Sequence, residues 1–150
     1  MKTMHTIGYE QATPSAVLGE LKRAGIDLLI DVRAVVSSRR PGFSKSQLAA
    51  SLDARGIGYL HLKGLGTPKE GRLAARSGDL ERLWRIYDKH MATPPAKEDF
   101  AELMALMRSG KRVCLLCYER DPKHCHRSRI AALVKKRVRV SVEDLFCAPV

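Results

Sequence analysis

Two patterns of apolar residues alternate along the chain. Short, nearly continuous apolar runs read as strands buried on both faces. Stretches with apolar residues three or four apart read as amphipathic helices. MHTIGY (4–9) opens as a short strand. TPSAVLGELKRAG (13–25) follows as a helix, with Thr13 as its cap, Pro14 in the first turn, Val17, Leu18 and Leu21 as its apolar stripe, and Gly25 as its stop. IDLLIDV (26–32) is the next strand, SKSQLAASLDARG (44–56) the next helix, and IGYLHL (57–62) a third strand. From Pro68 to Gly110 the pattern is helical but irregular. Its stripe at Leu103, Leu106 and Met107 suits a core face better than a cofactor box. RVCLLCY (112–118) and HRSRIAALVKKR (126–137) repeat the strand-then-helix order, and VRVSVEDLF (138–146) has the make-up of one more short strand.

This order predicts an α/β fold: a three-layer sandwich with a mainly parallel sheet of four or five strands, in one domain spanning 1–150. In such sheets ligands bind beyond the carboxyl ends of the strands, where the strand order switches. Gly8, Tyr9 and Glu10 follow the first strand; Asp31, Arg33 and the run Ser37 to Arg40 follow the second. His61, Gly64, Leu65 and Gly66 follow the third, and Cys117, Glu119 and Arg120 the fourth. Reactive side chains and glycines therefore collect at one predicted edge, and a pocket is expected there.

Composition adds limits. Only 5% of the residues are aromatic, so the core is expected to be aliphatic. No segment approaches the ~20 apolar residues of a membrane span, and MKTMHTIGYE lacks the apolar stretch of a secretory signal. The expected location is cytoplasmic, with no membrane partner. Four cysteines do not make a disulfide scaffold in such a compartment; buried, metal-bound or reactive thiols fit better. The formal charge is +11, and between Lys111 and Arg139 ten Lys or Arg face only Glu119 and Asp121. That excess attracts anionic partners, whether a small molecule or nucleic acid, and equally serves as a solvated surface.

The stretch CLLCYERDPKHCHRSR (114–129) holds three of the four cysteines. Cys114 and Cys117 have the spacing of a zinc or thioredoxin-like pair. On a strand, however, residues three apart point to opposite faces, so the two are not expected to share a ligand. Cys114 reads as a core residue. Cys117 falls at a strand end and Cys125 near a helix start, where unpaired N–H groups favour anions and thiolates. Both are candidate nucleophiles or ligands, with Glu119 as proton donor or acceptor and His126 beside them; inert burial is the competing reading. An arginine six residues on, as thiol phosphatases require, is absent: Lys123 and Ala131 stand there.

IDVRAVVSSRRPGFS (30–44, from Ile30) adds Asp31, a candidate base, and Arg33 and Arg39, planar forks for phosphate or carboxylate. An Asp–Arg pair bracing the loop is the alternative, with Arg40 solvated. His61 and Tyr59 alternate on one strand face, and Tyr9 is a stacking or hydrogen-bonding candidate at the rim.

TIGYE, LLIDVRAVVSSRRPGFSKSQLAASL, GIGYLHLKGLG and VCLLCYERDPKHCHRSRIA, in this order from Thr6 to about Ala132, resemble the bacterial and archaeal family called domain of unknown function 488. The resemblance implies that Gly8, Tyr9, Asp31, Arg33, Ser38, Arg39, Phe43, Gly64, Leu65, Gly66, Cys117, Glu119, Cys125, His126 and Arg127 belong to its motifs. It departs after Asp-Val-Arg, where the family commonly has proline and this chain has AVVSSRR. The family carries no settled activity and assigns no cofactor.

The expected function is an enzyme or ligand-binding domain acting on an anionic ligand. Asp31, Cys117, Glu119, Cys125 and His126 are the catalytic candidates. Gly8, Tyr9, Arg33, Ser38, Arg39, Gly66 and Arg127 are the binding candidates. Two alternatives are a non-catalytic nucleic-acid-binding module, whose affinity would fall steeply with salt, and a metal- or redox-sensing domain using Cys117, Cys125 and His126.

Overall fold

The computed structural model describes residues 2–148. Five strands form one sheet: β1 (Lys2–Gly8), β2 (Leu28–Asp31), β3 (Gly58–His61), β4 (Val113–Cys117) and β5 (Val140–Leu145). Their order is β3-β2-β4-β1-β5, and every pairing is parallel. The expected α/β sandwich is therefore present, with the tail strand completing an all-parallel sheet.

Six α-helices connect and cover it: α1 (Pro14–Arg23), α2 (Lys45–Asp53), α3 (Lys69–Arg76), α4 (Leu80–Met91), α5 (Pro94–Arg108) and α6 (His126–Lys135). The caps follow the residue types that predicted them. Thr13 Oγ1 accepts from Ala16 N at 3.1 Å, Pro14 starts α1, and Gly25 leaves it with φ of 71°. Ser44 sits at the N-cap of α2 but makes no cap bond; its hydroxyl is committed to Ser38 instead. The irregular middle stretch resolves into α3, α4 and α5, broken at Gly78 and at Pro94-Pro95.

Topology sorts the helices into layers. The steps β1→β2→β3 move toward one edge of the sheet, and β3→β4→β5 move back. Right-handed crossovers then require the two sets of helices to lie on opposite faces. They do: α1 and α2 pack Val17, Leu18, Leu21, Leu48 and Leu52 on one face. On the other, α4, α5 and α6 pack Tyr87, Leu103, Met107, Ile130 and Val134. The alternation along β4 follows this division. Cys114 and Leu116 face α1 and α2, whereas Leu115 and Cys117 face α4 to α6.

The loops after β1 and β2 turn toward one face, and the loop after β4 turns toward the other. The crevice between them opens at the carboxyl edge, as a switch in strand order dictates. Register aligns the strand ends there: Gly8 pairs with Cys117, and Asp31 with His61. Among the described residues, no helix is long and apolar enough to cross a membrane.

Candidate functional site

A cavity of about 700 Å³ opens above that crevice. Six of the twelve candidate residues line it: Tyr9, Arg33, Cys117, Glu119, Cys125 and His126. Gly8, Asp31, Ser38, Arg39, Gly66 and Arg127 do not belong to the lining. The difference follows from where each side chain finds its partners.

Asp31 ends β2 and is fully buried. Its Oδ1 accepts from the Arg33 backbone N at 3.1 Å and from Arg33 Nε at 2.9 Å. Its Oδ2 accepts from Arg33 Nη2 at 2.7 Å and from the Tyr59 hydroxyl. Arg33 Nη1 donates to Phe43 O at 2.8 Å and to the Tyr9 hydroxyl at 3.2 Å. Burial works against the Arg33 charge, but the bonds to Asp31 outweigh it and hold the guanidinium above its ordinary value. Burial, with Asp31 adding to it, raises the Tyr59 phenol as well. This network is nearly closed: the carboxylate has no free oxygen, and the arginine fork keeps only one Nη2 N–H without a partner among the described residues. The geometry is the loop-bracing Asp–Arg pair, with Arg33 presenting only an edge to the cavity.

The arginine loop behaves differently from its sequence reading. Arg39 is exposed and makes no hydrogen bond among the described residues. Arg40, which the loop-bracing alternative left solvated, is the anchored one. It donates to Tyr9 O at 2.6 Å and to Ala12 O, and its guanidinium lies 5.0 Å from the Phe43 ring centroid. Phe43 in turn stacks on Tyr9 at 4.4 Å. Ser38 helps to fold the loop, accepting from Arg40 N at 3.1 Å.

Gly8 and Gly66 serve close backbone approach. A Cβ on Gly8 would lie 1.8 Å from Glu119 O, and one on Gly66 would lie 2.5 Å from Ala34 N. Both let loops cross tightly beneath the cavity.

Arg127, in the first turn of α6, is fully buried and lies under the loop from Tyr118 to His124. Nε donates to Thr6 Oγ1 at 3.1 Å, and Nη2 donates to Arg120 O at 3.1 Å. Nη1 donates to Glu119 O at 2.5 Å and to Cys117 Sγ at 2.9 Å. Burial lowers its pKa, against the attraction of Asp144 and Glu119. Its charge thus sits directly behind a sulfur that lines the cavity.

Cys117 ends β4, and Cys125 is the N-cap residue of α6. Their sulfurs are joined, with S–S at 2.05 Å and the Cα atoms 7.4 Å apart. The sequence reading had not expected a disulfide; this one is a single local bond closing the loop, not a scaffold. Cys114 and Cys147 are free and buried, and burial raises both thiols.

His126 completes the cluster. Its Nε2 lies 2.7 Å from Val32 O. A carbonyl only accepts, so Nε2 carries the proton and Nδ1 keeps its lone pair. That Nδ1 is 3.6 Å from Cys125 Sγ. Burial lowers the His126 pKa to about 4, so the ring is neutral at physiological pH. The ligand atoms of Cys117, Cys125 and His126 all lie within 4.8 Å of one another. Glu119 Oε2 is 3.7 Å from Cys117 Sγ. Burial raises the Glu119 pKa, partly offset by its own backbone N–H and by Arg127. Two joined sulfurs, a neutral imidazole and a carboxyl that can hold a proton thus meet at one point of the cavity.

One wall escaped the sequence reading. Thr67, Arg72 and Arg76 of the α3 region, with Leu80 and Leu83 of α4, close the side facing the cluster. Arg72 donates to Thr67 O at 2.8 Å, and Arg76 makes no hydrogen bond or ion pair among the described residues. The signal was present as two arginines four apart on a helix, which share a face. Nothing local said that this face would meet the strand ends.

The fold and the cluster define a parallel α/β domain with sulfur and imidazole ligand atoms at its topological switch point. The chain matches the family described as "Domain of unknown function DUF488" over residues 13–134, and it belongs to that family. The match spans β2 to β4 and both cysteines of the cluster. Neither a curated protein nor a solved structure matches the chain.

Proposed function

We propose that the cavity is the working site of an enzyme that acts on an anionic ligand, with Cys117 and Cys125 as its reactive centre. The observation that carries this reading is the meeting of two sulfurs from separate elements with His126 Nδ1 and Glu119 in the cavity lining. Structural sulfurs do not need a 700 Å³ cavity in front of them, and perturbed groups grouped in a cleft are the usual mark of a working site. Arg127 stabilises negative charge on Cys117. Glu119 accepts or returns a proton. Arg76, and Arg72 with its remaining N–H groups, supply the charge for the ligand, a task the sequence had assigned to Arg33, Arg39 and Arg127. A phosphorylated small molecule, a nucleotide or a nucleic-acid end fits that charge.

The test uses reduced protein and two alkylating probes, anionic iodoacetate and neutral iodoacetamide, with modification read residue by residue by mass spectrometry. All four cysteines are buried, but Cys117 and Cys125 line the cavity and lie beside Arg127 and the start of α6, so they are expected to react at least about tenfold faster than Cys114 and Cys147. The anionic probe should gain on the neutral one relative to free cysteine, and Arg72→Glu with Arg76→Glu should abolish that gain. Four cysteines reacting alike, only as the protein unfolds, would sink the reading.

A further inference from the structure

We propose that the reduced Cys117, Cys125 and His126 cluster is a binding site for one soft divalent cation of the zinc class, with its fourth coordination position open to the cavity. The inference rests on the preceding reading, that this cluster is the working centre, and says what the sulfurs do there.

Four observations converge. First, the ligand types agree: two thiols and an imidazole are the donors that zinc-class ions select over calcium or magnesium. Second, the spacing agrees. Bonds of ~2.0–2.3 Å around a tetrahedral ion set ligand atoms roughly 3.5–4 Å apart; His126 Nδ1 already lies 3.6 Å from Cys125 Sγ, and the two sulfurs, bonded at 2.05 Å, reach that spacing only once reduction separates them. The Cα atoms of the two cysteines are 7.4 Å apart, wider than the ~4.4–6.8 Å usual for a disulfide, so an ion fits between the sulfurs without drawing β4 away from α6. Third, the imidazole is oriented from behind. The Nε2 bond to Val32 O fixes the tautomer and aims Nδ1 into the cluster, the support that ligating histidines commonly receive. Fourth, a sulfur is supported from behind too, by the Arg127 N–H at 2.9 Å.

Charge explains the link to the ligand. Two thiolates neutralise a divalent ion, and the imidazole adds nothing. Arg127 then leaves the centre with an excess positive charge, so the open position favours an anionic oxygen. Glu119, beside Cys117 and in the same lining, leaves that position open but lies close enough for its carboxyl to exchange a proton with a ligand bound there. The chemistry balances. A phosphine reductant takes up oxygen from water and leaves two thiols where the sulfurs were joined. Binding the cation then releases the two thiol protons.

The experiment titrates the full chain with cobalt(II), after phosphine reduction and removal of chelator. One cobalt per chain is expected, with thiolate-to-metal charge-transfer absorption, intense visible bands of a tetrahedral site, and displacement by one equivalent of zinc(II). Cys125→Ser and His126→Gln should each weaken binding by about 100-fold or more, while Cys114→Ser leaves it unchanged. Absence of those bands in folded, reduced protein overturns the site, as does binding that survives Cys125→Ser in a variant shown to be folded by circular dichroism. Alkylation run in parallel separates the two readings. Fast modification of Cys117 and Cys125 without cobalt binding rejects the metal and keeps the reactive cavity. Cobalt that protects both thiols supports both. Slow modification with no cobalt bound rejects both.

Discussion

Arg33 and Arg127 are both buried cations at the carboxyl edge of the sheet, yet they sit in networks of opposite kinds. Arg33 is matched to a carboxylate, and both oxygens of Asp31 are fully engaged. Arg127 has no carboxylate within salt-bridge distance among the described residues; it is held by two backbone carbonyls, a threonine hydroxyl and a sulfur. The first arrangement is nearly complete and resists change. The second leaves unspent capacity on its neighbours: the His126 lone pair and the Glu119 carboxyl beside the joined sulfurs. A closed polar network braces a fold, and an open one facing a cavity is where chemistry is found.

Asp31→Asn gives the largest expected effect, because it leaves the Arg33 charge buried without its partner. The loss is about 3–5 kcal/mol in urea unfolding. Iodoacetamide rates at Cys117 should stay the same in the folded variant; a changed rate would mean that the two networks are one.

Next in size is the pH dependence through His126. Its folded pKa of about 4 lies below the ordinary value of 6.5. The unfolded chain therefore binds this proton first, so the stability it contributes is whole above pH 6.5 and is lost as pH falls toward 4, by roughly 3 kcal/mol. Glu119, with its raised pKa, acts in the opposite sense as pH falls. Denaturation midpoints across that window, in wild type and Glu119→Gln, measure both, and the variant should show the steeper loss. A flat profile in Glu119→Gln would contradict a neutral buried His126.

Gly8→Ala should cost about 1–3 kcal/mol, because the new Cβ must push Glu119 O away from 1.8 Å. It should also disturb cobalt binding, since the same loop holds the cluster. The smallest effect on stability is expected for Glu119→Gln at neutral pH, within about 1 kcal/mol. Its signature lies in reactivity: without a carboxylate 3.7 Å away, Cys117 should be alkylated severalfold faster. Asp31 and Glu119 thus predict inverse phenotypes, stability for one and reactivity for the other.

The strands, the caps and the faces of Cys114 and Cys117 were legible in the chain because they depend on local periodicity and on residues a few positions apart. Thr13, Gly25 and the alternation along Val113 to Cys117 act within one element. The motif residues at the strand ends were legible too, since parallel strands bring all their carboxyl ends to one edge. What each residue does there was not. Arg39 and Arg40 are adjacent, and only the positions of Tyr9 O, Ala12 O and the Phe43 ring decide that Arg40 is anchored. Arg72 and Arg76 carry no motif, and only the packing of α3 beside α4 turns them toward the cluster.

By itself, the sequence determined the α/β order, the edge where the site lies and the residue types gathered there. Tertiary structure decided which charges are spent and which remain free. The physical reason is range. Periodicity and capping are set by neighbours along the chain, whereas the fate of a guanidinium or a thiol depends on carbonyls and carboxylates brought from distant segments. Val32 O, separated from His126 by 94 residues, settles which ring nitrogen faces the sulfurs.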